Sequence, residues 1–223
     1  MPDPDRRFDA VLFDMDGVLV DSEHRWNDVR RAYAAARGKP WGPDAQQAVI
    51  GANSRQWAAI MRDRLGLDDE PLESIIDDTV GGVIARFHDG GVEVIPGAPA
   101  TVRRIAGRWK VALVTSAHPA IITAALDLLD LHGVFETVAS SDEVVHGKPE
   151  PDVYQLAMRR LGVAPKRCLV VEDSTNGVLA GKAAGATVVL IPNANVPPTP
   201  GAFAAADVVV GRLADLDPDA LPG

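Results

Sequence analysis

The stretch Ala10-Val11-Leu12-Phe13-Asp14-Met15-Asp16-Gly17-Val18-Leu19-Val20-Asp21-Ser22 decides the fold. Its apolar, β-branched and aromatic start reads as a buried strand, and Gly17 turns the chain soon after. Asp14 and Asp16 therefore stand at the carboxyl end of a strand. Side chains alternate along an extended segment, so both carboxylates can flank one small site. Like charges there are costly unless a cation or a proton lies between them. Taken alone, Asp-x-Asp-Gly is also an ordinary turn sequence.

Three further segments favour a site over a turn. A second apolar run, Lys110-Val111-Ala112-Leu113-Val114, ends in the hydroxyls of Thr115 and Ser116. A loop then carries Gly147-Lys148-Pro149-Glu150-Pro151-Asp152, and a third run, Cys168-Leu169-Val170-Val171, ends in Glu172-Asp173-Ser174. Pro149 restrains Lys148 to an extended backbone and so fixes where its ammonium points. Thr115 can donate to a phosphate oxygen or simply cap the next helix, and one hydroxyl can serve both geometries. Ligands bind at strand ends in open parallel α/β sheets.

Between about residues 22 and 88 the strand signal almost vanishes. Trp26, Val29, Ala32 and Tyr33 recur at helical spacing, as do Trp57, Ile60, Met61 and Leu65. Trp41 and Trp57 read as core of this segment. Beyond Pro96-Gly97, helical patterns over 98–107, 121–131, 153–161 and 178–184 alternate with apolar runs over 111–114, 169–171 and 188–191. Such alternation predicts an α/β fold, a doubly wound parallel sheet, because parallel strands need crossover connections. The expected organisation is a core of residues 1–20 and 95–223 interrupted by an inserted helical cap of residues 21–94. Residues 193–200 read as a surface loop and 207–210 as a final edge strand.

The chain has 223 residues and a net charge of −9, which opposes nucleic acid or an anionic membrane as a partner. No apolar stretch approaches the roughly 18 residues that span a bilayer, and the polar N-terminal segment does not resemble a signal peptide. A cytoplasmic protein is expected. The single cysteine, Cys168, sits in an apolar run and reads as a small buried hydrophobe. A monomer is expected, with a dimer as the alternative.

Taken together, the four segments resemble motifs I to IV of the haloacid dehalogenase superfamily, in order and approximate separation, over about residues 8–213. The Val20-Asp21-Ser22 extension, the Gly147 to Asp152 string and Glu172-Asp173-Ser174 resemble its branch of β-phosphoglucomutase and small sugar-phosphate phosphatases. That resemblance implies a Rossmann-like core with a cap closing over the site. It implies Asp14 as nucleophile toward a small-molecule phosphomonoester and Asp16 as general acid and base. Lys148, Thr115 and Ser116 would bind phosphate, and loss of Lys148 is expected to reduce turnover far more than it alters folding.

The implied cofactor is Mg²⁺, which takes oxygen ligands and is commonly held by one or two carboxylates plus substrate phosphate. Its candidate ligands are Asp14, the backbone carbonyl of Asp16, Asp173 directly and Glu172 through water. Arg55, in Ile50-Gly51-Ala52-Asn53-Ser54-Arg55, resembles a cap arginine that contacts substrate. The leading expectation is a phosphatase. A phosphosugar mutase is the nearest alternative, disfavoured because Trp26 stands where such a mutase carries a cap histidine. A phosphate-binding regulatory module is the non-enzymatic alternative.

Overall fold

The computed structural model describes residues 6–193 and 195–221. Met1-Pro2-Asp3-Pro4-Asp5, most of the polar N-terminal segment, lies outside the described residues, as do Ala194 in the 193–200 loop and the last two residues. The chain runs from β1 (Ala10–Phe13) and β2 (Val20–Asp21) into four helices, α1 (Glu23–Ala36), α2 (Pro43–Val49), α3 (Ser54–Leu65) and α4 (Leu72–His88). After β3 (Glu93–Val94) come α5 (Ala98–Ala106), β4 (Lys110–Thr115), α6 (Pro119–Leu129), β5 (Thr137–Ser140) and α7 (Asp152–Leu161). The last elements are β6 (Cys168–Glu172), α8 (Thr175–Ala183), β7 (Thr187–Leu190), α9 (Pro200–Ala205) and β8 (Val208–Val209).

Six strands form one sheet in the order β5-β4-β1-β6-β7-β8, every pair parallel. The sheet grows outward from β1 on both sides, so the carboxyl end of β1 is the switch point where open sheets leave a crevice. Alternation splits each strand between two apolar layers. Ala10, Leu12, Val170 and Val188 pack with Tyr154, Met158 and Val178, whereas Val11, Phe13, Leu113 and Val171 join Ile105, Ile121 and the helical insert. Cys168 lies in the first layer with no disulfide, and burial pushes its thiol up to about 12.

The helices α1 to α4 fall between β2 and β3, an antiparallel pair that matches Val20 with Val94 and Asp21 with Glu93. This ribbon gave no sequence signal because two residues per strand are too few for periodicity. Nor did β5, whose Thr-Val-Ala-Ser has no continuous apolar run, although it pairs with β4 in register. The helix expected over 121–131 starts at Pro119 and ends at Leu129, where Asp130 turns left-handed at φ 51°. No helix of the described residues is long and apolar enough to cross a membrane.

Candidate active site

Strand register brings the sequence candidates together. Phe13 is level with Leu113 of β4 and Val171 of β6, so the residues that follow, Asp14 and Glu172, leave the sheet side by side. The Asp14 N–H donates to Val171 O at 3.0 Å and extends that pairing by one residue. Gly17 follows at φ +83°, and a Cβ there would lie 1.9 Å from Asp173 Oδ2. Glycine is thus required both by the backbone conformation and by the closeness of the second acidic pair.

Lys148 joins the two acidic segments. Its Nζ donates to Asp14 Oδ1 at 2.7 Å and to Glu172 Oε1 at 2.6 Å, with Val114 O at 3.4 Å, and all three side chains are buried. Glu172 is saturated. Its Oε1 also accepts from Tyr154 Oη at 2.8 Å, and its Oε2 accepts from Asp173 N, Ser174 N and Ser174 Oγ at 3.0 to 3.2 Å. Burial alone would raise its pKa, but Lys148 and these donors outweigh that and hold the carboxyl below the usual range. Burial likewise opposes the charge on Lys148, yet Asp14 and Glu172 hold its pKa well above the ordinary value.

One ammonium cannot neutralise every acid here. Burial, with Glu172 and Asp16 nearby, pushes Asp14 up to about 8 despite Lys148. Asp173 is also raised well above its ordinary value, by burial and then by Glu172 and Asp14. Lys148 divides its charge between Asp14 and Glu172, and both Asp14 and Asp173 keep raised pKa values. Ligand oxygens of Asp14, Glu172 and Asp173 lie within 4.8 Å of one another, so this buried acidic cluster can hold a metal ion. With Glu172 already committed to its donors, Asp14 and Asp173 are the carboxylates free to bind directly. Among the described residues the Asp173 carboxylate accepts only from Asn193 Nδ2, at 3.4 Å. An all-oxygen donor set suits a hard divalent cation.

The Glu172 cradle depends on Gly177 of α8, where an added Cβ would sit 1.7 Å from Glu172 Oε1. Alanine should raise helix propensity by about 1 kcal/mol, whereas overpacking a buried carboxylate costs about 3 kcal/mol. Gly177→Ala is therefore expected to lower the thermal midpoint. A higher midpoint would contradict this packing.

Asp16 accepts from Ser22 Oγ and, at 3.5 Å, from Thr115 Oγ1. Burial raises its pKa, with Ser22 and Lys148 opposing. Thr115 Oγ1 accepts from Ala117 N at 3.0 Å, at the turn into α6, so the hydroxyl serves the cap and the site together. Ser116 Oγ donates to Gly51 O at 3.1 Å, across to the loop after α2. Asn176 Nδ2 to Ile50 O, Ser54 Oγ to Asp142 Oδ2 and Asn195 Nδ2 to Asp21 Oδ2 join the helical segment to the sheet side in the same way.

Asp14, Asp16, Thr115, Ser116, Lys148 and Asp173 all line one cavity of about 100 Å³. Arg55 is not brought there. The Asn53 capping box starts α3 with Ser54, Trp57 and Ala58 facing inward, which turns Arg55 outward, 70% exposed and paired with Glu73 at 2.7 Å. In its place the cavity wall carries Trp26 and Trp57, which the helical patterns mark, and Arg30 and Glu23 of α1, which they do not. Tyr154 also carries no sequence signal, and Ser22 is marked only as part of the Val20-Asp21-Ser22 extension; for Glu23 and Arg30 the seven-residue spacing, two turns on one helix face, was the available signal. His24 pairs with Asp21, His118 caps α6 and His146 pairs with Asp152, all outside the cavity lining.

Known proteins resemble this chain in sequence and fold. A phosphorylated carbohydrates phosphatase of Thermotoga maritima is 34% identical over 79% of this chain and 82% of its own. The fructose-1-phosphate phosphatase YqaB of Escherichia coli is 32% identical over 80% of this chain and 94% of its own. A crystal structure of CbbY from Rhodobacter sphaeroides, a mutant in complex with xylulose-1,5-bisphosphate, superposes with a TM-score of 0.79 at 25% identity over 94% of this chain and 96% of its own. Residues 8–185, from the strand before Asp14 to the helix after Asp173, match the haloacid dehalogenase-like hydrolases, and the chain belongs to that family.

Proposed function

We propose that the protein is a Mg²⁺-dependent phosphatase of small phosphorylated carbohydrates that acts through an aspartyl phosphate on Asp14. The observation that carries this reading is Asp14 itself, 2.7 Å from Lys148, clustered with Glu172 and Asp173 and sharing a cavity wall with Asp173. The relatives named as carbohydrate phosphatases support the substrate class. Residues 21–94 act as the cap over this cavity. Trp26, packed edge-on against Trp57 at 6.0 Å, leaves no imidazole at the position a mutase would use.

In the first step an Asp14 oxygen forms a bond to phosphorus as the bond to the leaving oxygen breaks. Asp16, whose raised pKa favours the protonated form, gives its proton to that oxygen. Lys148 neutralises charge on Asp14 and the phosphoryl group, and Thr115 Oγ1 and Ser116 N–H donate to phosphoryl oxygens. In the second step Asp16 takes a proton from water, which attacks phosphorus and releases Asp14 with inorganic phosphate. Asp14, Asp173 and the Asp16 carbonyl would hold Mg²⁺, while Glu172, already engaged by its own donors, would hold Lys148 in place rather than reach the ion through water. Bound there, the ion supplies positive charge that keeps Asp14 ionised and draws electron density from the phosphoryl oxygens.

Phosphate release from hexose, pentose and deoxyhexose phosphates, with Mg²⁺ or with chelator, tests the reading. Release confined to Mg²⁺ is expected. Conversion of β-glucose 1-phosphate to glucose 6-phosphate without release would replace it with the mutase.

Metal-free stability gives an independent check. Asp14 titrates near 8 in the folded chain and ordinarily at 3.8. The stability linked to its proton is fully present below about pH 4 and is lost as pH rises through about 8. In chelator the thermal midpoint is therefore expected to fall between pH 6 and pH 9. Mg²⁺ should raise it more at pH 9, where the carboxylates it binds would otherwise repel. An equal Mg²⁺ effect at both pH values would count against these ligands.

A further inference from the structure

Arg30 is buried in the cap wall and lines the same cavity as Asp14. Its guanidinium carbon lies 4.8 Å from the ring centroid of Trp26 and 5.8 Å from that of Trp57. Glu23, two turns earlier on α1, is 3.9 Å from Nη1, too far for a hydrogen bond. Nη1 donates to Gln46 Oε1 at 3.4 Å, and Nε is buried without a hydrogen-bond partner among the described residues. A guanidinium offers five N–H donors, and leaving buried donors unused is costly until an acceptor arrives. Gln46 cannot be that acceptor in full, since its Oε1 also accepts from Trp41 Nε1 at 3.1 Å while its Nε2 donates to Glu23 Oε1 at 2.6 Å. Glu23 is thereby held in the cavity wall beside Arg30.

A carboxylate that only accepts, next to a guanidinium that only donates, complements hydroxyl groups, which do both. Charge points the same way. The cavity wall carries Asp14, Asp16, Glu23 and Asp173 against Arg30 and Lys148, and Lys148 is already engaged by Asp14 and Glu172. Glu23 also borders a second, outer cavity of about 380 Å³, whose wall includes the amides of Asn27, Gln46 and Gln47, with Arg31 exposed to solvent there. A leaving group longer than the inner cavity would pass Glu23 and meet these amides, with His24 and Arg31 on the same wall.

We propose that Glu23 and Arg30 determine specificity at the leaving-group end, holding hydroxyls of a neutral polyol chain and disfavouring a second phosphate. The proposal deepens the phosphatase reading and rests on it. A bisphosphate is the competing occupant, since the CbbY crystal structure contains one.

The test compares kcat and KM for hexitol 6-phosphate, n-hexyl phosphate and hexitol 1,6-bisphosphate, with Mg²⁺, in the wild type, Glu23→Gln and Arg30→Lys. Glu23→Gln keeps size and removes charge; Arg30→Lys keeps charge and removes the planar fork. The wild type is expected to favour the hexitol monophosphate by about tenfold or more over either alternative, as a site built to bond hydroxyls does. Each variant should shrink the preference over hexyl phosphate at least about fivefold, mainly through KM, a ratio that a merely structural role would leave unmoved. Either variant alone decides the outcome if the other does not fold. Unmoved ratios, or a wild type that prefers the bisphosphate, would overturn the proposal while leaving the phosphatase reading in place. No turnover of these three compounds while hexose or pentose phosphates are hydrolysed would overturn the proposal alone, and no turnover of any of these phosphomonoesters would remove both.

Discussion

Asp14→Asn is expected to lower phosphate release by about 10³-fold or more while leaving the chain folded. The amide has nearly the shape of the carboxylate but cannot form the acyl phosphate, so both chemical steps lose their nucleophile at once. Lys148 keeps Glu172 at 2.6 Å, and Tyr154 and Ser174 continue to hold that carboxylate, so the surrounding network persists. The same change removes a buried group whose charge is opposed by burial and by Glu172 and Asp16. The metal-free thermal midpoint should accordingly be unchanged or higher, even as activity disappears. Steady-state kinetics together with thermal unfolding reads both effects. Turnover above about a tenth of wild type would exclude Asp14 as the nucleophile.

Lys148→Met should be severe in two ways. The ammonium is the shared partner of Asp14 and Glu172, and none of the three is exposed. Removing one member of a buried ionic cluster leaves unpaired charge and costs about 3–5 kcal/mol. From sequence, the lysine was expected to matter for turnover far more than for folding; its burial between two acids adds a structural role of comparable weight. Glu172→Gln in the same chain separates the two, because it neutralises the stranded carboxylate. The double variant should recover much of the lost stability in denaturant titrations and none of the phosphate release. Recovery of activity would mean that Lys148 serves only to hold Glu172.

The parts of the site legible in sequence were those carried by strand ends. Asp14, Thr115 and the Glu172-Asp173 pair each follow a run of apolar residues whose period marks a strand, and parallel register makes their meeting nearly obligatory. Lys148 was legible through its motif neighbours rather than through any strand. Arg55 shows where such reading stops. Its spacing from Gly51 suited a cap contact, but the capping box at Asn53 sets the rotation of α3 and points it outward to Glu73. Tyr154 escaped notice because a tyrosine on the buried face of α7 looks like core until Glu172 is seen at 2.8 Å.

By itself the sequence determined the alternation of strands and helices, the place of the helical insert and the acids and lysine of the candidate site. Each of these depends on local periodicity or on residues a few positions apart. Only the tertiary structure decided that Glu172 is saturated while burial raises the pKa of Asp14 and Asp173, and that Arg30 rather than Arg55 faces the cavity. Burial, helix rotation and the division of one lysine charge between two carboxylates are set by contacts between distant segments. Their energies depend on distance and desolvation, which residue order does not encode locally.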